Sequence, residues 1–242
     1  MISMKLAAAG VAATVAGGAY LGLPARMFSL SADPRPVSFV LPATDCPEGD
    51  IRLTVPNNFI FTDSDRRGGQ SDGVTAKGVF DPSAASTLLP YSAATAAEFK
   101  VRGGGRTVFL QAMPYINPQG GSRTTEEAEA RNLEGFARLY RKRLLPGEYP
   151  EIQGFTYFGT HDFGHSQDAY VRQTASGAIH LECDRPGSVP FPNCNVDVYP
   201  KCGLHIVYQF SSDLLPHWPE LHRAVEETVT GWQRPAITQA AN

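Results

Sequence analysis

The chain has 242 residues, a formal net charge of −3 and 42% hydrophobic residues. This length and composition exclude a wholly disordered chain and allow one large domain, or two small ones, with a substantial core. The balanced charge excludes a strongly basic nucleic-acid-binding protein and a polybasic membrane-surface protein.

The N-terminal segment indicates export. Residues 6–23 carry no charge and are rich in Ala and Gly, with Lys5 before them and Arg26 after them. A positive residue, an apolar stretch and then small residues are typical of a secretory signal. About 18 to 20 apolar residues are also just enough to cross a bilayer. Residues 1–30 are therefore expected to be either a cleaved signal peptide or a single-span anchor in the inner membrane, and both alternatives place the remaining chain in the periplasm.

The cysteines agree with export. An even number of cysteines in an exported chain predicts disulfides, and the chain has Cys46, Cys183, Cys194 and Cys202. Cys183 and Cys194 flank a short loop with three prolines and a glycine, and a bridge between them would leave Cys46 to pair with Cys202. The cysteine spacing matches no common zinc module. We predict no metal site and no cofactor.

The first part of the chain predicts a linker and the start of a domain. Residues 31–47 are rich in proline and are expected to form a linker with one short extended piece. A single domain is predicted over residues 48–235. It opens with a strand over 51–55, a turn and a second strand over 59–61, because apolar residues alternate around a Pro-Asn-Asn turn. A polar loop is predicted over 63–73.

Two helices are predicted. Thr124 and Glu127 have capping-box spacing, and a helix beginning there would end at Pro146-Gly147. The second helix covers residues 218–232, where apolar residues recur on one face and Pro219 suits the first turn.

The remaining regular segments are predicted to be strands. They cover residues 107–113, 154–159, 169–174, 178–183 and 203–210, and Ser176-Gly177 suggests a hairpin between the third and fourth. Several strands with few helices predict an α+β fold. We expect an antiparallel sheet with the mid-chain helix and the C-terminal helix packed on one face.

The sequence carries no strong catalytic motif. Gly164 to Asp168 resembles the front of a nucleophile elbow centred on Ser166, but Asp168 stands where the sharp turn needs a small residue, and a strand-like run follows. His161 and His165 would need one helical turn to aim both rings at a metal ion, and the nearby glycines disfavour a helix. We predict no catalytic residue and keep a hydrolase using Ser166 as an alternative.

The C-terminal third suggests a family. It reads as a loop from Cys183 to Cys194, a strand from Gly203 to Phe210, a Leu214-x-x-x-Trp218 entry and a closing helix. This order resembles small exported or inner-membrane-anchored proteins of Gram-negative bacteria, some of which look like the immunity proteins that accompany type VI secretion effectors. The resemblance implies a periplasmic stoichiometric inhibitor that binds a toxic enzyme.

The leading hypothesis is therefore a protein-binding inhibitor that occludes a secreted antibacterial effector, with no nucleic-acid partner. Candidate contact loops are 63–73 and 184–200. Arginine and aromatic residues are enriched at interface hot spots, and this predicts contacts at Arg66, Arg67, Arg185 and Phe191. Two alternatives remain: an envelope structural or assembly factor, and a periplasmic domain that binds a small molecule or lipid in a groove between sheet and helix.

Overall fold

The computed structural model describes residues 30–42, 49–62, 65–83, 87–101, 105–114, 152, 154–162, 166–174, 177–200 and 204–233. These residues form ten β-strands and one α-helix. The elements are β1 (Pro36–Leu41), β2 (Ile51–Pro56), β3 (Gly69–Gln70), β4 (Val74–Val79), β5 (Thr107–Pro114), β6 (Thr156–Asp162), β7 (Ser166–Thr174), β8 (Gly177–Asp184), β9 (Asn193–Val198), β10 (Leu204–Ser211) and α1 (Trp218–Gln233).

A seven-stranded sheet with the order β4-β5-β10-β9-β8-β7-β6 forms the body of the molecule. All its neighbouring strands are antiparallel. Successive side chains of a strand point to opposite faces, and β5 and β9 bury every second residue. In β10, Leu204, Ile206, Tyr208 and Phe210 are buried on the same face, which we call the inner face.

A second sheet has the order β2-β1-β3. Phe39 and Leu41 of β1 and Leu53 of β2 belong to the same core as the inner face of the long sheet. Residues 36–41, within the segment expected to be a linker with one short extended piece, thus form a strand of this core. The strand is possible because Pro36 is its first residue and Pro42 follows it, so the residues between them keep their N–H groups for pairing.

Helix α1 packs against the inner face. Its buried residues are Trp218, Leu221, Ala224, Val225, Thr228, Val229 and Trp232. The Trp232 ring lies 5.5 Å from the Phe59 ring, and the Trp218 ring lies 4.8 Å from the Phe155 ring, both edge-on. An antiparallel sheet with the C-terminal helix packed on it confirms the predicted α+β class. The mid-chain helix predicted from Thr124 lies outside the described residues.

The structure corrects the strand assignment in two places. Residues 59–61 do not form a strand; Ile60 makes a single bridge to Ala76 at the outer edge of β4. The partner of β2 is β1 instead. Strands β4 and β9 were not expected, and β9 fills the position between β8 and β10.

Within the described part of the chain, no helix is long and apolar enough to cross a membrane. Residues 6–23, for which a signal peptide or anchor is predicted, lie outside that part.

Candidate protein-contact loop

The loop between β8 and β9, residues 184–193, is the best-defined surface feature, and we call it the contact loop. Cys183 and Cys194 face each other in the β8–β9 register and form a disulfide, with their Cα atoms 4.1 Å apart. Both cysteines are buried. The bridge is the one favoured by the sequence, and it fixes the two ends of the loop to each other. Cys46 and Cys202 lie outside the described residues, so their pairing stays a prediction.

A tight turn begins the contact loop. The Ser188 N–H donates to the carbonyl oxygen of Arg185 at 3.0 Å. Gly187 has a φ of 80°, in the left-handed region that favours glycine. Proline at the second position and glycine at the third are the residues that a type II turn prefers, so Pro186-Gly187 determines the turn locally.

The guanidinium of Arg185 is directed into the molecule. Its Nε donates to Asp168 Oδ1 at 2.9 Å, and the Tyr157 hydroxyl donates to the same oxygen at 3.2 Å. The Asp168 side chain is only 5% exposed and that of Arg185 22%. Since a buried carboxylate needs charged or hydrogen-bonding partners, Arg185 neutralises Asp168 and holds the loop to β7. The predicted partner contact at Arg185 is thus engaged inside the protein.

Further hydrogen bonds hold the rest of the loop. Asp184 accepts from Gln167 Nε2 through Oδ1 and from the Asn193 N–H through Oδ2, both at 3.0 Å. The Ser212 N–H, at the start of a short 3₁₀ turn before α1, donates to the Pro192 carbonyl oxygen at 3.0 Å. The loop is therefore bonded to β7, β9 and the segment that leads into α1.

The middle of the loop is exposed and apolar. Pro186, Gly187, Pro190 and Phe191 are exposed, and Phe191 is 55% exposed. Among the large hydrophobic side chains of the described residues, Phe191 is the most exposed; the others so classed are Leu30 and Val101. The predicted contact residue Phe191 is thus presented to solvent on a loop whose ends are fixed.

The other predicted contact loop, 63–73, is built differently. Arg66 donates from Nε to Asn57 Oδ1 at 3.0 Å and from Nη2 to the Ile60 carbonyl oxygen at 2.9 Å. Arg66 therefore stabilises the preceding turn from within. Arg67 is exposed, as a contact residue or a solvated arginine would be.

The structure does not bring the two loops together. The sheet register aligns Val74, the first residue of β4, with Ile206, Val198 and Ile179. The contact loop leaves β8 at its other end, after Cys183. The two loops lie four strand spacings apart across the sheet and about five residues apart along the strands. Together these separations give a distance of roughly 25 Å. The four predicted contact residues therefore do not form one cluster.

A groove between α1 and the inner face has a volume of about 740 Å³. At its floor the Tyr208 hydroxyl lies 2.8 Å from His222 Nδ1, and His222 Nε2 lies 3.5 Å from Glu226 Oε1. Burial lowers the pKa of His222 from 6.5 to about 4 and raises the pKa of Glu226. His222 is thus neutral at pH 7, and in the tautomer whose Nε2–H faces Glu226 the Tyr208 hydroxyl, whose pKa burial raises, donates to Nδ1.

The structure shows no nucleophile elbow at Ser166. Ser166 is the first residue of β7 and pairs with Asp162 of β6, whereas an elbow needs a helix after the serine. His165 lies outside the described residues. In the part of the chain that the structure describes, no three His, Cys, Asp or Glu side chains are placed to hold a metal ion.

Sequence reasoning did not identify Asp168 and Asp184 as the residues that position the contact loop. In the sequence, Asp168 stands out only as a departure from the elbow motif. A signal was present for the turn, because Pro186-Gly187 is a strong local turn sequence. The Arg185–Asp168 pair had no comparable local signal, since its geometry depends on the pairing of β7 with β8.

Comparisons with known proteins give one structural similarity to report. No family model matches the chain, and no curated protein matches it. The fold is similar to the structure of an immunity protein of the Stenotrophomonas maltophilia type IV secretion system, with 12% sequence identity and a TM-score of 0.45. The similarity covers 81% of this chain and 94% of the other, and the system named there is type IV, not the type VI of the sequence resemblance.

Proposed function

We propose that the protein is an exported inhibitor that binds a protein partner through its contact loop. The partner we propose is a secreted antibacterial effector enzyme, which the protein neutralises by occluding it. The protein would therefore confer immunity, and its own residues would perform no chemical step.

The exposed Phe191 on the disulfide-anchored contact loop carries this proposal. A large aromatic ring that leaves water on association contributes a substantial part of a binding free energy. Because the loop ends are fixed by Cys183–Cys194 and the flanks by hydrogen bonds, little conformational entropy is lost when a partner binds. Such preorganisation raises affinity.

Two features support a periplasmic location. The uncharged segment 6–23 has the composition of a signal or anchor, and the Cys183–Cys194 disulfide suits an oxidising compartment. We propose that the folded domain faces the periplasm, either free after cleavage or attached to the inner membrane through residues 6–23.

The test uses the product of the neighbouring gene as the candidate effector. The purified chain should bind it with a one-to-one stoichiometry, and co-production should protect cells from its toxicity when it is directed to the periplasm. Deletion of residues 1–29 serves as a control for location, because the shortened chain should lose protection and keep binding after oxidative refolding. If the full chain neither binds nor protects, the proposed function is wrong.

A second candidate function follows from the groove beside α1. Its volume of about 740 Å³ lies in the range of small-molecule sites, and its lining combines Leu204 and Ile206 with His222 and Glu226. Native mass spectrometry of the purified protein would reveal a co-purifying lipid or small molecule. A ligand that is lost in Ile206→Trp, which fills the groove, would favour this function over inhibition.

A further inference from the structure

We infer that the contact loop is recognised by insertion of the Phe191 ring into an uncharged, apolar pocket of the protein partner, with neither a shared backbone ladder nor an ion pair. The inference rests on the proposed function and specifies the chemistry of the partner surface.

The loop backbone is unsuited to strand addition. An added strand needs N–H and C=O groups at every second residue along one edge. Pro190 and Pro192 occupy alternate positions and have no N–H, so one edge of this segment lacks donors. On the other edge, the Phe191 carbonyl oxygen already accepts from Asn193 Nδ2 at 2.9 Å. Recognition therefore has to use side chains.

The loop has no charge to offer. Residues 186–192 contain no charged side chain. The two charges that precede them are used internally, since Asp184 accepts from Gln167 and the Asn193 N–H, and Arg185 pairs with Asp168. A complementary partner surface therefore gains nothing from charge at this point, and a buried unpaired charge opposite the loop would cost free energy.

The prolines fix how the ring is presented. A residue that precedes proline is restricted to extended conformations, and this applies to Val189 before Pro190 and to Phe191 before Pro192. Phe191 thus has a narrow range of backbone conformations before any partner arrives. An exposed ring on a restricted backbone, flanked by proline rings, fits a concave apolar pocket, and not a flat charged surface.

The experiment measures affinity for the neighbouring gene product across salt concentrations. Wild-type affinity should change less than about threefold between about 0.05 and 0.5 M NaCl, because screening acts on charges and not on apolar burial. Phe191→Ala should weaken binding at least about 30-fold, the effect of a hot-spot residue. Phe191→Leu, which keeps an apolar side chain, should lose less. Val101→Ala is the matched control, since Val101 is also an exposed apolar side chain, 45% exposed, outside residues 184–193.

The outcomes separate the two proposals. Wild-type binding that weakens tenfold or more with salt, or that Phe191→Ala leaves unchanged, overturns the pocket inference and leaves the inhibitor function standing. A wild-type protein that does not bind at all overturns the proposed function, and the pocket inference falls with it. Circular dichroism of Phe191→Ala confirms that any lost binding is not lost folding.

Discussion

The two loops predicted to contact a partner use their residues in opposite ways. In the loop before β4, Arg66 bonds to the preceding turn, and the exposed side chains are polar: Arg67, Gln70 and Asp72. In the contact loop, Arg185 bonds to Asp168 of the sheet, and the exposed side chains are apolar: Phe191, Pro186 and Pro190. The first loop thus exposes charged and polar side chains, whereas the second exposes an aromatic ring beside prolines.

This difference shows what residue type alone leaves undecided. Arginine is enriched at interfaces, but its five donors serve equally well to satisfy carbonyl and carboxylate groups of the same chain. Arg66 and Arg185 both donate to groups of their own chain. A phenylalanine ring has no polar groups that need partners within the chain and is normally buried. Its exposure therefore indicates a binding surface more clearly than the presence of an arginine does.

Among substitutions in the two loops, the largest expected effect is on stability, from Arg185→Ala. Removing the guanidinium leaves Asp168 buried with its charge uncompensated, and breaking such a pair costs roughly 3–4 kcal/mol. Urea denaturation followed by circular dichroism would measure the free energy of unfolding. If the loss is below about 1 kcal/mol, Arg185 does not hold the contact loop as the geometry indicates.

Two variants act as controls for this prediction. Asp168→Asn combined with Arg185→Ala removes both charges and should be more stable than Arg185→Ala alone. Arg35→Ala breaks an ion pair to Asp33 whose arginine side chain is 86% exposed, and it should leave stability unchanged because solvent screens such pairs.

The next largest expected loss of stability follows removal of the Cys183–Cys194 disulfide. This bridge distinguishes the contact loop from the loop before β4. The Cys183→Ala, Cys194→Ala double variant should lose about 3 kcal/mol of unfolding free energy, because the unfolded chain regains the freedom of an 11-residue separation. Thermal unfolding without reductant measures it. An unchanged midpoint would mean that hydrogen bonds alone fix the loop. The Cys46→Ala, Cys202→Ala variant tests the second predicted bridge in the same assay.

How far the sequence predicts this fold depends on the strength of the local pattern. Strand β10 and helix α1 have long apolar periodicities and were predicted within one residue at each end. Strand β9 alternates as well, but Asn193, Asn195 and Asp197 have low strand propensity and prolines precede them. In β4, Lys77 and Gly78 interrupt the apolar pattern. These strands form because their neighbours supply pairing partners, which a local window does not contain.

The same limit applies to the site. The pairing of Cys183 with Cys194 and the exposure of Phe191 followed from a short segment between two cysteines. The internal role of Arg185 did not, because Asp168 is 17 residues away and reaches it through the β7–β8 register. The internal role of Arg66 likewise depends on the carbonyl group of Ile60, whose conformation is set by its bridge to β4.

A smaller effect compares two neighbouring arginines. Arg66→Ala should cost about 2 kcal/mol, because the Ile60 carbonyl group loses its donor in a buried turn. Arg67→Ala should stay within about 0.5 kcal/mol of wild type, as exposed surface substitutions do. Chemical denaturation of both variants in parallel gives the comparison. Equal losses would show that Arg66 has no special part in this turn.

The smallest expected effect on stability is at Phe191. Its ring is 55% exposed, so Phe191→Ala removes little buried area and should change the unfolding free energy by less than about 0.5 kcal/mol. The same measurement on Phe39→Ala, whose ring is 1% exposed, should show a loss of about 3 to 5 kcal/mol. A Phe191→Ala variant that unfolds as readily as Phe39→Ala would mean that the ring packs into the fold. A stable variant that no longer binds would separate recognition at this ring from the folding of the sheet beneath it.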